Sequence, residues 1–260
     1  MPLPPDKRRV RESFDRAAQT YDGAALVQRR VCERLLNALS EPEITPLTLL
    51  DAGCGTGFGS RLLRARWPDA HLTGVDFAPS MLALARRASD DCCAADIEKL
   101  PFADASFDLW WSSLAIQWCD ADVVFGEAAR VLRPNGTIAV STLGPDTFNE
   151  LRQSFSGVDP HRHTLHFCSP EAIGAALASA GFVAIDLRRE THTVHYPDLK
   201  TLLRAVKAIG AQNVGAGGRR AMMGRAAWQR LEAAYERHRQ SAGLPASYDV
   251  ILAYAKKQSN

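Results

Sequence analysis

The segment that most constrains this chain is the glycine-rich stretch Asp51-Ala52-Gly53-Cys54-Gly55-Thr56-Gly57. An apolar run at residues 47–50 comes directly before it, so we expect a buried parallel strand that passes into a helix through a tight turn. The glycines allow positive φ angles and a close approach of the backbone to a ligand. The amide groups that open the next helix are then available to bind a carboxylate or a phosphate.

Three classes of ligand-binding loop compete for this turn. A nucleotide-hydrolase loop requires Gly-Lys-Ser/Thr, and no lysine follows the glycines here. A dinucleotide fingerprint requires G-x-G-x-x-G, but its last glycine would fall on Phe58 or Ser60. The pattern Asp-x-Gly-x-Gly-x-Gly after a strand resembles the first motif of the class I S-adenosylmethionine (SAM)-dependent methyltransferases. This resemblance implies a Rossmann-like α/β fold with SAM as cofactor and S-adenosylhomocysteine as its product.

Composition places few other limits on the chain. Its 260 residues, 46% hydrophobic and 23% charged, suit one large α/β domain. No apolar run approaches the roughly 20 residues of a membrane span, and the N-terminus lacks the apolar core of a secretory signal. Six cysteines form no C-x-x-C pair, so reduced thiols are expected. These features predict a cytoplasmic protein that does not act at a membrane.

Acidic residues follow two more of the predicted strands. Asp76 closes a strand at residues 70–75 and is placed to accept both hydrogen bonds of a ribose diol. The segment Asp96–Phe102 resembles the methyltransferase segment in which an acid receives the adenine amino group and its apolar neighbour, here Ile97, covers the adenine face. A buried strand at residues 107–113 should end where methyl group and substrate meet, because ligands lie outside the carboxyl ends of the strands. The predicted cofactor-binding residues are Tyr21, Asp51, Gly53, Cys54, Gly55, Gly57, Asp76, Phe77, Met81, Asp96, Ile97 and Ser113.

The order of elements predicts a seven-stranded, mostly parallel sheet with helices on both faces. Residues 1–45 form an N-terminal helical arm or lid, with helices at 7–18 and 23–39. Residues 46–195 form the SAM-binding core, which includes a helix at 120–132, a turn at 133–136 and a strand at 138–142. Residues 196–243 form a helical insertion before the last strand, which lies within 244–260 and is centred on 248–254.

Three phrases outside the SAM core narrow the resemblance. They are residues 141–151 (STLGPDTFNEL), 203–213 (LRAVKAIGAQN) and 244–250 (LPASYDV). With the core motifs they resemble the malonyl-[acyl-carrier protein] O-methyltransferases of biotin synthesis, over residues 8 to 256. The resemblance implies methylation of the free carboxylate of a malonyl thioester on acyl carrier protein (ACP), which hides the charge so that the unit can be elongated towards pimeloyl. A carboxylate is already ionised at pH 7, so we expect no general base.

An anionic substrate still has to be oriented. Arg152 is the first candidate because a guanidinium matches a carboxylate with two parallel donors. Tyr21 could add a hydroxyl donor, and Trp118 or Phe167 could form a wall of the pocket. Members of the family often carry Asn-Arg-Phe where this chain has Leu-His-Phe at 165–167, so a carboxylate-binding role for His166 requires that it be protonated.

Two features of the second half have competing explanations. The cluster His161-x-His163-x-x-His166 has no standard zinc spacing, and we expect a polar loop and no metal. Residues 186–230 carry nine Lys/Arg against three acids, a local net charge of about +6. A solvated helix face or nucleic acid could explain the charge, but the pI near 8.2 and the lack of a nucleic-acid motif favour docking of acidic ACP. The predicted docking residues are Arg188, Arg189, Lys200, Arg204, Lys207, Arg219, Arg220 and Arg225.

Two rival functions stay open at the level of sequence. One is another class I methyltransferase that acts on a free small acid or a quinone precursor. The other is a methyltransferase-like assembly factor or SAM-binding regulator without transferase activity. The intact glycines and the acids at 76 and 96 favour SAM binding, and a comparison of malonyl-ACP with free malonate separates the enzymes.

Overall fold

Seven strands form one sheet in this structure, a computed structural model that describes residues 6–40, 44–158, 164–208 and 223–259. The strands are β1 (Thr48–Ala52), β2 (His71–Asp76), β3 (Asp91–Ala94), β4 (Phe107–Ser113), β5 (Leu132–Leu143), β6 (Phe182–Tyr196) and β7 (Leu244–Lys257). Their spatial order is β3-β2-β1-β4-β5-β7-β6. Strand β7 is antiparallel to both neighbours, and the other paired strands are parallel. The predicted seven-stranded, mostly parallel sheet is therefore confirmed.

Helices cover both faces of the sheet. They are α1 (Lys7–Ala24), α2 (Leu26–Asn37), α3 (Phe58–Arg66), α4 (Pro79–Ala85), α5 (Ala121–Val131), α6 (Asn149–Ser156), α7 (Pro170–Ser179), α8 (Leu199–Ala208) and α9 (Arg225–Glu236). Among these described helices, none has both the length and the apolar character needed to cross a membrane. The residues at the start of α7 explain why a helix begins there: Ser169 Oγ accepts a hydrogen bond from the Ala172 amide, and Pro170 occupies the first helical position.

The two faces of the sheet bury separate apolar cores. Leu49 and Trp111 point into one core, together with residues of α2, α3, α6, α8 and α9. Leu50 and Trp110 point into the other, together with residues of α5 and α7. Neighbouring residues alternate between cores because side chains on a strand alternate between faces. Strands buried on both faces explain the continuous apolar runs in the sequence.

The arm and the insertion lie beside each other over the sheet. Helix α1 contacts α4 and α8, and α8 also packs on β6 and β7. Leu202 of α8 and Leu231 of α9 are fully buried in the same core as α2. The helical insertion before the last strand is thus present as predicted in the described part of residues 196–243. Residues 209–222 of this segment are not among the described residues.

Several predicted boundaries were wrong. Helix α1 runs on to Ala24, six residues beyond the predicted end. Strand β5 starts at Leu132, the predicted last residue of a helix, and it includes residues 133–136, for which a turn was expected; Asn135 keeps a turn-like φ of 62° inside the strand. Strand β7, by contrast, starts at Leu244, the first residue of the predicted last-strand segment. Its first half pairs with β6 alone, which leaves Pro245 without the need to donate to a second strand.

Candidate active site

The glycine turn after β1 owes its sequence to close packing as well as to backbone conformation. Gly53 and Gly57 have φ angles of 78° and 82°. A Cβ at Gly53 would overlap the Cβ of Ala115, and a Cβ at Gly57 would lie 2.9 Å from the Cα of Ala85. At Gly55, by contrast, a Cβ would meet no described atom within 4 Å. The absence of side chains at Gly53 and Gly57 therefore lets the turn pack closely against its neighbours, whereas Gly55 borders open space.

Asp76, at the carboxyl end of β2, faces that open space. Its Oδ2 accepts a hydrogen bond from the Gly55 amide at 2.9 Å, and its Oδ1 accepts from the Ala78 amide at 2.8 Å. Burial raises the pKa of this carboxyl to about 6, although both amides oppose the shift. A carboxylate oxygen has room for a second donor, so the fixed Asp76 carboxylate can still accept two hydroxyl groups.

Asp51, at the end of the neighbouring strand β1, is the second buried acid of the turn. Only 2% of its surface is exposed, and its Oδ2 accepts from Ser60 Oγ at 2.6 Å. Burial raises the pKa of Asp51 to about 7; the Ser60 hydrogen bond opposes the shift, and the nearby Asp76 charge adds to it. The turn thus holds two carboxyl groups whose charged forms lack full compensation from the protein.

Three cavities meet at this edge of the sheet, and Tyr21 of α1 lines all three. The acidic cleft contains Asp76 and Asp96. The glycine-loop pocket contains Asp51, Thr56 and Arg29. The aromatic pocket is lined by Phe14, Leu114, Trp118, Leu143, Phe148 and Phe167, among others. A ligand that fills the first two cavities would therefore place its middle beside Tyr21, at the mouth of the third.

The structure brings most of the predicted cofactor-binding residues into these cavities. The acidic cleft is lined by Tyr21, Gly53, Gly55, Asp76, Phe77, Met81, Asp96, Ile97 and Ser113. Asp51 and Cys54 line the glycine-loop pocket instead. Gly57 lines none of the three cavities, and its place is explained by its packing against α4.

Helix α1 closes over the acidic cleft through its first residue. Lys7 Nζ lies 2.5 Å from Asp96 Oδ2 and 2.6 Å from Glu98 Oε2. Burial alone would lower the pKa of Lys7, but the bonds to Asp96 and Glu98 outweigh it and raise that pKa. Sequence analysis missed Lys7, since nothing in the chain relates it to residues some ninety positions away.

Further along, α1 is bound to the rims of the other cavities. Asp15 Oδ1 accepts from the Ser80 amide at the start of α4. Asp22 Oδ1 accepts from Thr56 Oγ1 in the glycine turn at 2.6 Å. These contacts hold Tyr21, which lies between them, at the junction of the cavities.

Of the four candidates for orienting a substrate, three line the aromatic pocket and one does not. Tyr21, Trp118 and Phe167 line the aromatic pocket. Arg152 lines none of the three cavities, and its guanidinium donates to the Thr147 carbonyl. A substrate-orienting role for Arg152 stays a prediction.

Two left-handed residues of the aromatic pocket carried no signal in the sequence. Leu114 and Phe148 have φ angles of 52° and 55°, a conformation that glycine and asparagine usually mark. Strained residues of this kind concentrate at binding sites, where the surrounding structure enforces them.

The histidine cluster lies largely outside the described residues, which do not include His161 and His163. His166 is exposed, and its Nδ1 lies 3.3 Å from the Phe167 carbonyl. Within the described ranges, no three His, Cys, Asp or Glu residues are grouped to hold a metal ion.

The predicted docking residues fall into two groups. Lys200, Arg204 and Lys207 are exposed along one face of α8, and Arg225 is exposed at the start of α9. On β6, by contrast, arginine charges are already paired. Arg188 bonds to Asp186, and Arg189 binds Asp146 and the buried Asp249. Arg219 and Arg220 lie outside the described residues.

Comparison with known proteins agrees with this site. A family model described as a methyltransferase domain matches residues 50–140. The fold is similar to that of a SAM-dependent methyltransferase of Thermotoga maritima, with a TM-score of 0.58, 18% identity and coverage of 96% of this chain and 100% of that one. Fold, glycine turn and strand-end acids together define a class I SAM-dependent methyltransferase.

Relatives identify the family within that class. The malonyl-[acyl-carrier protein] O-methyltransferase of Dechloromonas aromatica is 54% identical, over 97% of this chain and 95% of its own length. The enzyme of the same name from Laribacter hongkongensis is 48% identical, over 96% and 89%. This chain therefore belongs to the malonyl-[acyl-carrier protein] O-methyltransferase family.

Proposed function

We propose that this protein transfers the methyl group of SAM to the free carboxylate of malonyl-ACP. The product is malonyl-ACP methyl ester, the primer from which the pimeloyl unit of biotin is extended. The observation that carries the proposal is the meeting, at Tyr21, of a strand-end cleft that contains Asp76 and Asp96 with an aromatic pocket. One cavity suits a nucleoside, the other a small acyl group, and relatives of this name match nearly the whole chain.

The cofactor fits the residues that are present. In the acidic cleft, Asp76 would accept from the ribose hydroxyls and Asp96 from the adenine amino group, with Ile97 against the adenine face. The open space in front of Gly55 admits the close approach that this requires. The spent cofactor that leaves the same cleft would be S-adenosylhomocysteine.

SAM supplies a methyl group bonded to a positively charged sulfur, which a carboxylate can accept without loss of a proton. Since the malonyl carboxylate is ionised at pH 7, this chain has no proton to remove and needs no general base. Its task is to align the carboxylate with the methyl group and to exclude water. Tyr21, Gln117 and Thr164 line the aromatic pocket and offer polar groups for that alignment.

The apolar walls of the aromatic pocket favour this reaction for an electrostatic reason. An anion and a cation combine to give two neutral products, so charge disappears along the reaction path. Water would stabilise the charged reactants most, whereas walls built from Phe14, Trp118, Phe148 and Phe167 do not. Replacement of water by these side chains thus lowers the barrier.

Helix α8 links the pocket to the carrier protein. Val206 lines the aromatic pocket from the buried side of α8. Lys200, Arg204 and Lys207 are exposed on the same helix, spaced so that they share one face. Acidic ACP bound to that face would bring its thioester arm to the pocket beside it. We propose that the protein acts in the cytoplasm, where ACP and SAM are both used. We propose no nucleic-acid partner.

Methyl transfer from radiolabelled SAM tests the proposal. We expect label in a base-labile ester on malonyl-ACP and none on unloaded ACP, with malonyl-CoA as a second acceptor that reports the contribution of the carrier protein. Base-stable label, or no label from an enzyme that binds SAM, would show that the substrate is a different one.

A further inference from the structure

The glycine-loop pocket contains a charged side chain to which no role has yet been assigned. Arg29 of α2 is half-buried and lines this pocket, as do Asp51 and Thr56. Among the described residues that line the pocket, Arg29 is the only cation. Its guanidinium has no hydrogen bond or ion pair with any described residue.

Helical geometry explains why Arg29 faces the pocket. Arg29 and Cys32 are three residues apart on α2 and therefore share a face, and both line the pocket. Val31 and Leu35, which are fully buried, hold α2 against the core. Arg30 is exposed and lines none of the three cavities. The direction of the Arg29 side chain is thus set by a packed helix.

The pocket contains groups of both charges, which suits a zwitterion. Asp51 supplies a carboxylate and Arg29 a guanidinium. The pocket also shares Tyr21, Gly53, Gly55 and Ser113 with the acidic cleft. An α-amino acid group attached to a nucleoside in that cleft would therefore meet both an anion and a cation, with which its own ammonium and carboxylate can pair.

We propose that Arg29 binds the α-carboxylate of the methionine part of SAM and of S-adenosylhomocysteine. The assignment rests on the proposed SAM-dependent function and adds a specificity residue to it. Arg29 selects the complete amino acid end of the cofactor, because a guanidinium pairs with a carboxylate through two parallel donors. Without that carboxylate, a ligand gains nothing from Arg29.

Calorimetric titration of SAM and of decarboxylated SAM tests the assignment, because these ligands differ only in the carboxylate. Arg29→Met should weaken SAM binding by about 10- to 100-fold, as expected for loss of a charge-assisted hydrogen-bonded pair. The same variant should bind decarboxylated SAM within about twofold of the unsubstituted protein. Arg29→Lys should recover part of the loss, since it restores the charge without the paired donors.

Arg30→Met is the matched control and should change neither affinity. An equal loss for both ligands in Arg29→Met, or no loss for either, would overturn the assignment. The proposed function is judged separately, by whether the unsubstituted protein methylates malonyl-ACP.

Discussion

At the scale of single residues, the site is defined by two acids that the protein itself leaves incompletely compensated. Asp51 and Asp76 are both nearly fully buried, and burial raises their pKa values to about 7 and about 6. The hydrogen bonds from Ser60, Gly55 and Ala78 oppose these shifts without cancelling them. A ligand that brings a positive charge and two hydroxyl donors supplies what is missing, which is the chemistry of SAM.

The raised pKa values predict a pH dependence of cofactor binding. Cationic SAM binds best when both carboxylates are ionised, so its affinity should fall as the pH is lowered from about 8 to about 5.5, by up to about tenfold per pH unit for each linked proton. Titration calorimetry across this range measures the effect. In Asp51→Asn the change in SAM affinity near pH 7 should be absent. An affinity of the unsubstituted protein that does not change with pH would refute the link between cofactor binding and these carboxylates.

Asp76 carries a second prediction at this scale. Asp76→Asn removes a charged acceptor of the ribose diol and should weaken SAM binding by about tenfold or more. Asp91→Asn, an exposed acid on the adjacent strand, serves as the control in the same titration. Equal affinities in all three proteins would mean that Asp76 does not hold the ribose.

At the scale of elements, α1 joins the cavities. Its first residue binds Asp96 and Glu98, its middle binds the start of α4, and its end binds the glycine turn. Because Asp96 is also the proposed acceptor of the adenine amino group, the contact that holds the helix lies directly at the cofactor. We therefore expect α1 to open when the cofactor exchanges.

Removal of the Lys7 contact should speed that exchange. Lys7→Met is expected to raise the dissociation rate of S-adenosylhomocysteine by about three- to tenfold, the effect of a partly exposed ion pair worth about 1 kcal/mol. Stopped-flow tryptophan fluorescence can follow the release, since Trp118 packs against Phe14 of α1. Arg8→Met, exposed on the same turn, should not alter the rate. If Lys7→Met releases S-adenosylhomocysteine no faster, the ion pairs of Lys7 with Asp96 and Glu98 do not hold α1 over the cofactor.

Helix α8 carries the prediction for the carrier protein. Combined reversal of Lys200, Arg204 and Lys207 to Glu should lower kcat/KM for malonyl-ACP by about tenfold or more at low salt, with a smaller effect at high salt. Turnover of malonyl-pantetheine should be unchanged. Arg86 and Arg87 are exposed after the end of α4, which leads into the edge strand β3, whereas α8 packs on β6 and β7 at the other end of the strand order. Reversal of these two arginines to Glu is therefore the control. An equal loss with malonyl-pantetheine would place the defect in the pocket instead.

At the scale of the whole molecule, sequence predicts the features that are local in the chain. The glycine turn and the acid at the end of β2 are each marked by a few consecutive residues, and both lie where the strand-end rule puts them. Contacts between distant residues leave no such mark. Arg189 counted toward the basic surface in the sequence, yet its charge is held by Asp249, sixty residues away. The pockets of Arg29 and Lys7 likewise exist only once α1 and α2 pack on the sheet.

The methyl group is expected on the malonyl carboxylate of malonyl-ACP. Intact-protein mass spectrometry of malonyl-ACP and acetyl-ACP, each incubated with this enzyme and SAM, can locate it. We predict one added methyl group on malonyl-ACP, which fragmentation assigns to the terminal carboxyl, and none on acetyl-ACP, which lacks that carboxylate. A methyl group on acetyl-ACP, or on the protein part of the carrier, would show that the malonyl carboxylate is not the acceptor.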